Sequence, residues 1–475
     1  MRKINRRQSA GYPHSLGSFV SCRLGSATHM NHRPTADKAC FTSPAIERVI
    51  ERVVARICDP QLAALFVNCF PNTLDTTVTV GTDEQGRPDT FVVTGDIDAM
   101  WLRDSTNQVW PYLPFVNEDP NLNRLIQGVI NRQTRCVMID PYANAFNREA
   151  TGSHWKSDQT VMTDDLHERK YELDSLCAVL RLAYGYWEVS KDASCFDDRW
   201  HEAMRRIVAT IRAEQAGADE IQKDDYRFQR QTTSPTETLA CGGYGQPARR
   251  CGLSKSPFRP SDDAAMLPFL VPANAMAVVC LTRLAILWRD VCGKPEDAAD
   301  AQALADEIDS AIKHHAVIEH PQHGSIFAYE VDGFGSYYCM DDGNVPSLLS
   351  LPYLGYCDTG DPIYVNTRRF VLSSSNPYYA EGKAAKGVGS PHTGRGTIWP
   401  MAVILQALTS DSAEEVRGCL AILRDTHAGT FFMHESFSKD DAASFTRDWF
   451  AWANTLFGEL ILSVDARFPE LLRQN

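Results

Sequence analysis

Hydrophobic residues recur every three to four positions over most of this chain, which is the spacing of amphipathic helices. The clearest case follows Ser43 and Pro44, which favour an N-cap and a first helical turn, and its apolar positions run from Ile46 to Ile57. The same spacing predicts helices within 122–130, 173–187, 200–211, 304–315 and 416–423. Each of these helices would turn one apolar face towards a core.

Two further segments, 275–288 and 449–462, are apolar on nearly all sides, as enclosed helices are. An alternation of enclosed and one-sided helices favours a two-layer α/α toroid, in which outer helices surround inner ones. Stacked helical repeats are the alternative, but the chain lacks the fixed-period self-similarity that repeats leave. The sequence therefore predicts an all-α fold.

Strand signals are sparse. Residues 77–80 and 90–93 flank a turn sequence around Gly86 and predict one small β-hairpin as a local decoration. Residues 231–260 are rich in Gly, Pro, Ser and Thr and show no periodicity, which is unusual for so long a segment in a compact domain. Such a loop either lines a functional site or is a tolerated surface insertion.

Composition narrows the classes of partner. The chain has 475 residues, is 44% hydrophobic and carries a formal net charge of −13, so it can bury a large core and is poorly suited to nucleic acid or an anionic membrane. No run approaches eighteen consecutive apolar residues, and the basic N-terminus lacks an apolar signal-peptide core. We therefore expect a flexible extension over residues 1–40, a single domain over 41–475 and no membrane span.

The cysteines bear on the compartment. There are fourteen, spread singly without CxxC spacing, and no asparagine lies in an N-x-Ser/Thr sequon. Both features favour a reduced, cytoplasmic protein. In an oxidising compartment, however, Cys241 and Cys251 are close enough in sequence to pair.

The segment 94–105 combines three carboxylates with Trp101 and Arg103 immediately before a predicted helix. This mixture suits a sugar, because Asp104 and Arg103 can bind hydroxyls while an indole covers the apolar face of the ring. Ion pairing and helix capping use the same residue types, so a structural role is the alternative.

Candidate acid and base residues lie in two other loops. Asp262 and Asp263 are adjacent, and burial of one would raise its pKa, as a general acid requires; capping of the following helix by Ser261 or Asp262 is the alternative. Glu435 lies among phenylalanines, where a carboxylate is costly to bury unless it is paired. Ser438 occupies the second histidine position of an HExxH motif, so we predict no metal site, and no organic cofactor is expected.

Seven segments, in order along the chain, resemble glycoside hydrolase family 125, the exo-acting α-1,6-mannosidases that include the fungal meiotically up-regulated gene 157 proteins. They are GDIDAMWLRDS (95–105), ERKYELDSLC (168–177), RPSDDA (259–264), DDGNVPSLL (341–349), GSPHTG (389–394), IWPMA (398–402), and HESF with FTRDWFAWANTLFGEL (434–460). Without the resemblance, the loops 341–347 and 389–394 would be interpreted as an ordinary turn and an ordinary histidine loop.

The resemblance implies an (α/α)6 barrel, a six-hairpin toroid, that hydrolyses terminal α-1,6-linked mannose with inversion. It implies that the acid is in the aspartate pair, where we prefer Asp262 to Asp263, and that the base is Glu435. The implied carbohydrate-binding residues are Trp101, Arg103, Asp104, Glu172, Asp174, Asn344 and His392. Three other tryptophans, Trp399, Trp449 and Trp452, are more typical of a helical core.

Three other functions remain as alternatives. One is another inverting toroid glycosidase, of the glucoamylase or trehalase type, and the second is a non-catalytic glycan-binding toroid. The third, a prenyl-transferring or terpene-cyclising barrel, would need a zinc set or a DDxxD box, whereas Asp262 and Asp263 are followed by Ala264, Ala265 and Met266.

Overall fold

The computed structural model describes residues 30–223 and 225–473. Its helices are α1 (Pro44–Val54), α2 (Pro60–Cys69), α3 (Asn72–Thr76), α4 (Leu102–Val109), α5 (Pro120–Ile139), α6 (Leu173–Ser190), α7 (Asp198–Ala213), α8 (Val271–Ile286), α9 (Pro295–His315), α10 (Leu351–Leu354), α11 (Pro362–Val371), α12 (Pro400–Leu408), α13 (Ala413–Asp425), α14 (Ala451–Arg467) and α15 (Glu470–Arg473). The structure has a helix at every segment where hydrophobic spacing predicts one.

Helix starts follow the capping signals. Ser43 Oγ accepts a hydrogen bond from the Ile46 N–H at 3.4 Å, with Pro44 in the first turn, as the sequence predicts for α1. Asp119 caps α5 in the same way, accepting from the Asn121 N–H at 2.9 Å. These bonds satisfy N–H groups that have no partner inside the helix.

Alternate helices along the chain pack against one another. Helix α4 packs against α6, α6 against α8 and α8 against α10, while α14 packs against both α12 and α4. The inner helices α6, α8, α12 and α14 are buried on most sides, whereas α7, α9 and α13 bury a single face. The predicted alternation of enclosed and one-sided helices is therefore present.

The fold contains more strand than the sequence predicts. The strands are β1 (Val78–Thr82), β2 (Pro88–Val92), β3 (Met100–Trp101), β4 (Ala145–Phe146), β5 (Leu166–Glu168), β6 (Phe269–Leu270), β7 (Val317–His320), β8 (Gly324–Phe327), β9 (Glu330–Val331), β10 (Tyr337–Tyr338), β11 (Tyr379–Glu381), β12 (Lys386–Val388), β13 (Thr397–Ile398), β14 (Ser436–Ser438) and β15 (Phe445–Thr446). The predicted hairpin is β1–β2, with Val78 opposite Val92. The all-α prediction is thus incomplete, because strands of two to five residues carry too few positions to show a period of two.

One described helical segment is long and apolar enough to cross a membrane. It is Val271–Val291, which comprises α8 and the π-turn that follows it, and 72% of the apolar window is buried inside the protein. This degree of burial is that of a core helix. Its neighbours α6 and α9 cover it.

The predicted N-terminal extension lies partly outside the described residues. Within the described part, residues 30–40 contact the helical body. The Arg33 guanidinium binds Glu47 at 2.6 Å and Asp75 at 2.7 Å, and the Cys40 N–H donates to the Asp75 carbonyl at 2.9 Å. The prediction of a flexible extension therefore does not fit residues 30–40, which contact the helical body.

Candidate active site

Loops that precede the inner helices α4, α6, α8, α10, α12 and α14 surround a pocket of about 430 Å³. This volume lies within the usual range for pockets that bind small molecules. Seven of the predicted site residues line the pocket: Trp101, Arg103, Asp104, Asp262, Asn344, His392 and Glu435. The other three, Asp263, Glu172 and Asp174, are not among the lining residues.

Asp262 lies at the centre of a tight turn. Its φ of 69° is in the left-handed region, which few residues other than Gly, Asn and Asp adopt. The Asp262 N–H donates to the Arg259 carbonyl at 2.9 Å, the Arg259 N–H donates to the Asp263 carbonyl at 2.8 Å, and the Lys170 ammonium donates to the Asp262 carbonyl at 2.9 Å. A strained backbone held by several bonds is typical of functional sites.

The turn is also fixed from behind. Arg259 Nε donates to Glu330 at 2.6 Å, and Ser261 Oγ donates to Asp342 at 3.0 Å. Helix α8 begins only at Val271, without a side-chain cap, so the alternative that Ser261 or Asp262 caps it is wrong. The turn therefore serves to present Asp262 to the pocket.

Cations surround the Asp262 carboxyl group. Burial raises the pKa of Asp262, but Lys170, Arg103 and His392 together hold it below its ordinary value. A hydrogen bond joins Asp262 to the buried Glu172, whose pKa is well above the usual range because of its burial and the neighbouring carboxylates. Burial therefore acts on Asp262 in the expected direction, but the neighbouring cations outweigh it and the pKa of Asp262 is lowered.

Asp263 points to a different neighbour. Its Oδ1 lies 3.1 Å from His392 Nδ1. Burial lowers the pKa of His392, but the hydrogen bond to Asp263 and the charges of Glu435 and Asp262 raise it to about 9. His392 is therefore a cation at neutral pH, paired with Asp263 and placed on the pocket wall.

Glu435 lies at the other side of the site, just before β14. The pairing of Ser436 with Thr446 places residue 435 opposite residue 447, which follows β15, and Arg447 Nη1 lies 3.6 Å from Glu435 Oε1. The Glu435 side chain is 8% exposed and keeps an edge on the pocket. Arg447 also binds Asp96, so one cation joins the C-terminal loop to the N-terminal motif.

The N-terminal motif approaches this loop closely. Gly95 pairs with Phe450, and a side chain at Gly95 would come within 2.4 Å of the Trp449 carbonyl oxygen. Its φ of 131° is also one that other residues rarely adopt. This glycine therefore allows the chain to bring Trp101 into the pocket, while Trp449 does not line it.

Glu172 and Asp174 are placed behind the pocket, which corrects their predicted role in binding hydroxyls. Both side chains have no solvent exposure. Arg103 Nη1 donates to Glu172 at 2.6 Å and to Asp174 at 3.2 Å. They hold the guanidinium in place, and Arg103 is the member of the group that lines the pocket.

Several residues of the pocket lining carry a buried polar atom that lacks a hydrogen-bond partner within the described chain. The atoms are Thr94 Oγ1, Trp101 Nε1, Arg103 Nε and Trp452 Nε1. Asp104 Oδ2 lies 3.3 Å from Arg103 Nη2, so this carboxylate and the guanidinium form an ion pair. Buried polar groups are normally paired, so the unpaired atoms are candidates for contact with a ligand. Burial, opposed by Arg103, raises the pKa of Asp104 to about 6.

One wall of the pocket consists of residues that the sequence did not predict. His154, Trp155 and His167 line it, with the His167 ring 5.3 Å from Trp101 and the Arg230 guanidinium 3.6 Å from the Trp155 ring. Their only sequence signal is the aromatic content of the connection between α5 and α6. The loop 231–260 also reaches the pocket through Glu237, so it lines the candidate site and is not merely a surface insertion.

The remaining loops support the site. Asn344 lines the pocket, while the Asp341 carboxylate accepts hydrogen bonds from the N–H groups of Leu348 and Leu349 at 2.8 and 2.9 Å and so shapes the loop. The described residues hold no group of three or more His, Cys, Asp or Glu side chains arranged to bind a metal ion.

Comparison with known proteins assigns the chain to a family. The family model of the metal-independent alpha-mannosidases (GH125) matches residues 59–462. The meiotically up-regulated gene 157 protein of Schizosaccharomyces pombe is 44% identical over 458 residues, which cover 93% of this chain and 90% of the relative. The resemblance inferred from the seven segments is confirmed.

Solved structures agree. A metal-independent alpha mannosidase from Streptococcus pneumoniae, in a non-productive complex with alpha-1,6-mannobiose, matches with a TM-score of 0.85 and 41% identity over 89% of this chain and 99% of that chain. A bacterial glucoamylase complexed with acarbose shares the fold alone, with a TM-score of 0.53 and 11% identity over 89% of this chain and 59% of that chain. The chain therefore belongs to the GH125 family of metal-independent alpha-mannosidases, which are glycoside hydrolases.

Proposed function

We propose that this enzyme releases terminal α-1,6-linked mannose from mannosides or N-glycan fragments, with inversion at the anomeric carbon. The observation that carries the proposal is that Asp262 and Glu435 face one pocket from separate loops. The proposed linkage is supported by the 41% identical alpha mannosidase that was solved in a non-productive complex with alpha-1,6-mannobiose.

The two carboxyl groups divide the chemistry. Asp262, as the general acid, donates a proton to the glycosidic oxygen while the bond from that oxygen to the anomeric carbon breaks. Glu435, as the general base, takes a proton from a water molecule that attacks the opposite face of the sugar. The products are a free hydroxyl on the leaving sugar and β-mannose. Asp263 acts through His392 and does not transfer the proton.

The terminal sugar is bound by the other lining residues. Arg103, Asp104, Asn344 and His392 bind its hydroxyls, and Trp101 covers an apolar face. The unpaired atoms of Trp101 and Arg103 support this assignment, because a sugar hydroxyl supplies each with a partner. Buried side chains such as Trp452 are among the lining residues, which favours an enzyme that accepts only a chain end.

The finer description of the fold is also a proposal. We propose that the alternating inner and outer helices form an (α/α)6 barrel and that residues 41–475 form a single catalytic domain. The thirteen cysteines in the described part of the chain are all unpaired, including Cys241 and Cys251, which supports a reduced, cytoplasmic location.

Proton NMR tests the proposal directly. Purified enzyme is incubated with α-1,6-mannobiose in parallel with α-1,2- and α-1,3-mannobiose, maltose and trehalose. Cleavage of the 1,6-linked sugar alone, with β-mannose appearing first, is the expected result. α-Mannose appearing first would overturn the acid and base assignment, and cleavage of a glucoside instead would support a glucoamylase-like or trehalase-like enzyme. Binding without cleavage of any sugar would support a glycan-binding toroid.

A further inference from the structure

Asp262 and Glu172 form a pair of buried carboxyl groups, of which only Asp262 lines the pocket. A hydrogen bond joins them, and Asn144 Nδ2 lies 3.4 Å from Asp262 Oδ1 and 3.4 Å from Glu172 Oε1. The orientation of the Asn144 amide is set by its Oδ1, which accepts from the Lys170 N–H at 3.1 Å. Two carboxyl groups can be hydrogen-bonded to each other only while one of them carries a proton.

Burial and the neighbouring carboxylates favour a proton on this pair, while Arg103, Lys170 and His392 oppose a second one. The charged and titratable groups that face it are Arg103, Asp104, His167, Glu168, Lys170, Asp174 and His392. Glu168 is also neutralised by Arg230 at 2.8 Å. A second negative charge within the pair raises the affinity of both carboxylates for the last proton, which then belongs to the pair and not to either residue.

We infer that Glu172 is a positioning residue that shares one proton with Asp262, so that the acid still has a proton to donate at neutral pH. The inference rests on the proposed role of Asp262 and deepens it. The proton moves between Glu172 and Asp262 across their hydrogen bond. When it is on Asp262, Glu172 is an anion that accepts from Arg103 Nη1 at 2.6 Å and from Ser175 Oγ at 2.7 Å.

The step balances with a single proton. As the bond between the glycosidic oxygen and the anomeric carbon breaks, the proton passes from Asp262 to that oxygen, and both members of the pair become anions. Arg103 and Lys170 are the countercharges for this state. Water in the pocket then returns one proton to Asp262, while the proton that Glu435 took from the attacking water leaves to solvent. The sum is hydrolysis, with the enzyme unchanged.

Glu172→Gln tests the inference. Glutamine keeps the size and hydrogen bonding of the side chain but removes the second carboxylate, so Asp262 loses its proton more readily. We expect the basic limb of the pH profile of kcat/KM for α-1,6-mannobiose to move about one pH unit lower. Activity on 2,4-dinitrophenyl α-mannoside, whose leaving group needs no proton, should fall far less. A purely structural effect would lower both activities equally and leave the limb in place.

Ser175→Ala is the second variant, and its expected effect has the opposite sign. It removes a hydrogen bond to the Glu172 anion, so the pair holds its last proton more tightly and the basic limb moves to higher pH. The matched control is Asp174→Asn, which also removes a buried carboxylate from Arg103 but does not break the bond between the pair. It should shift the limb by less than half of the Glu172→Gln shift.

The outcomes separate the two proposals. An unmodified enzyme that cleaves no mannoside would overturn the proposed function. If the unmodified enzyme is active, and Glu172→Gln and Ser175→Ala both leave the basic limb unchanged or move it in the same direction, only the shared proton is overturned. Circular dichroism of each variant identifies one that has not folded, in which case the other decides.

Discussion

Asp262 and Glu435, the two carboxylates proposed as acid and base, are held in contrasting ways. Asp262 lies in a strained turn with its carboxyl group among Lys170, Arg103 and His392 and bonded to a second carboxyl group. Glu435 lies beside a short sheet, and among the described residues its ion pair is with Arg447 at 3.6 Å, while its charge also acts on His392. Asp262 is thus held by a dense network of charges, and Glu435 by fewer partners.

The contrast agrees with the proposed roles of the two residues. A general acid needs a proton to donate and counterions for the charge that remains, and the groups around Asp262 support that role. A general base needs an oriented carboxylate that water can reach, and the partly exposed side chain of Glu435 supports that role. The two sides of the pocket should therefore respond differently to substitution, leaving group and pH.

The largest effect is expected at the base. Glu435→Gln keeps the shape of the side chain but cannot take a proton from water, so kcat should fall by roughly 10⁴-fold on α-1,6-mannobiose and by a similar factor on the dinitrophenyl mannoside. Steady-state kinetics on both substrates measure this. Azide should restore activity to Glu435→Ala as β-mannosyl azide, because azide attacks without losing a proton. Retention of most activity by Glu435→Gln would remove this residue from the mechanism.

The acid side should instead depend on the leaving group. Asp262→Asn should lower kcat by roughly 10³-fold on α-1,6-mannobiose but by less than about tenfold on the dinitrophenyl mannoside. Asparagine also tolerates left-handed φ, so the turn is retained. Asp263→Asn is the matched control. If Asp263→Asn shows this selective loss and Asp262→Asn does not, the acid is Asp263.

Much of the helical scaffold and part of this contrast could be predicted from the sequence. Helices such as α5 and α9 span several turns, so their apolar period is visible, whereas strands of two residues such as β3 and β4 leave no pattern. The motifs predicted Asp262 and Glu435 as site residues, and both line the pocket. Which other carboxylates line the pocket could not be predicted, because the sequence does not show that Asp104 reaches the pocket while Glu172 is buried behind it.

Residues from distant loops were missed for a related reason. Lys170 and Arg447 lie in segments that resemble the family. The partner of Lys170 is Asp262 and that of Arg447 is Asp96, and both are so distant in the chain that no local spacing connects them. The left-handed backbone of Asp262 is likewise invisible, because aspartate is common in turns of every type. Tertiary contacts decide these features.

A third difference between the two sides is a pH-dependent contribution to stability. The pKa of His392 is about 9 in the folded protein, against an ordinary value near 6.5 when unfolded, so its pairing with Asp263 stabilises the fold fully below pH 6.5 and the contribution is lost as pH rises through 9. His392→Gln should therefore destabilise the protein by about 2 kcal/mol at pH 6 and by much less at pH 10. Denaturant unfolding at several pH values measures the difference. A difference that stays constant with pH would show that folding leaves the pKa of His392 unshifted.

The smallest effect is expected at Arg447, the cation that is paired with Glu435. Arg447→Met removes the charge beside Glu435 and the link to Asp96, so the carboxylate loses one charge-assisted contact, and kcat should fall about tenfold on both substrates, equivalent to about 1.4 kcal/mol. Asp96→Asn is the control, because it loosens Arg447 without removing its charge, and its effect should be smaller. Since Arg447 contacts no proton donor, the loss should be the same for good and poor leaving groups. A loss confined to the poor leaving group would mean that this cation serves Asp262, and the division of the pocket into two independent sides would be wrong.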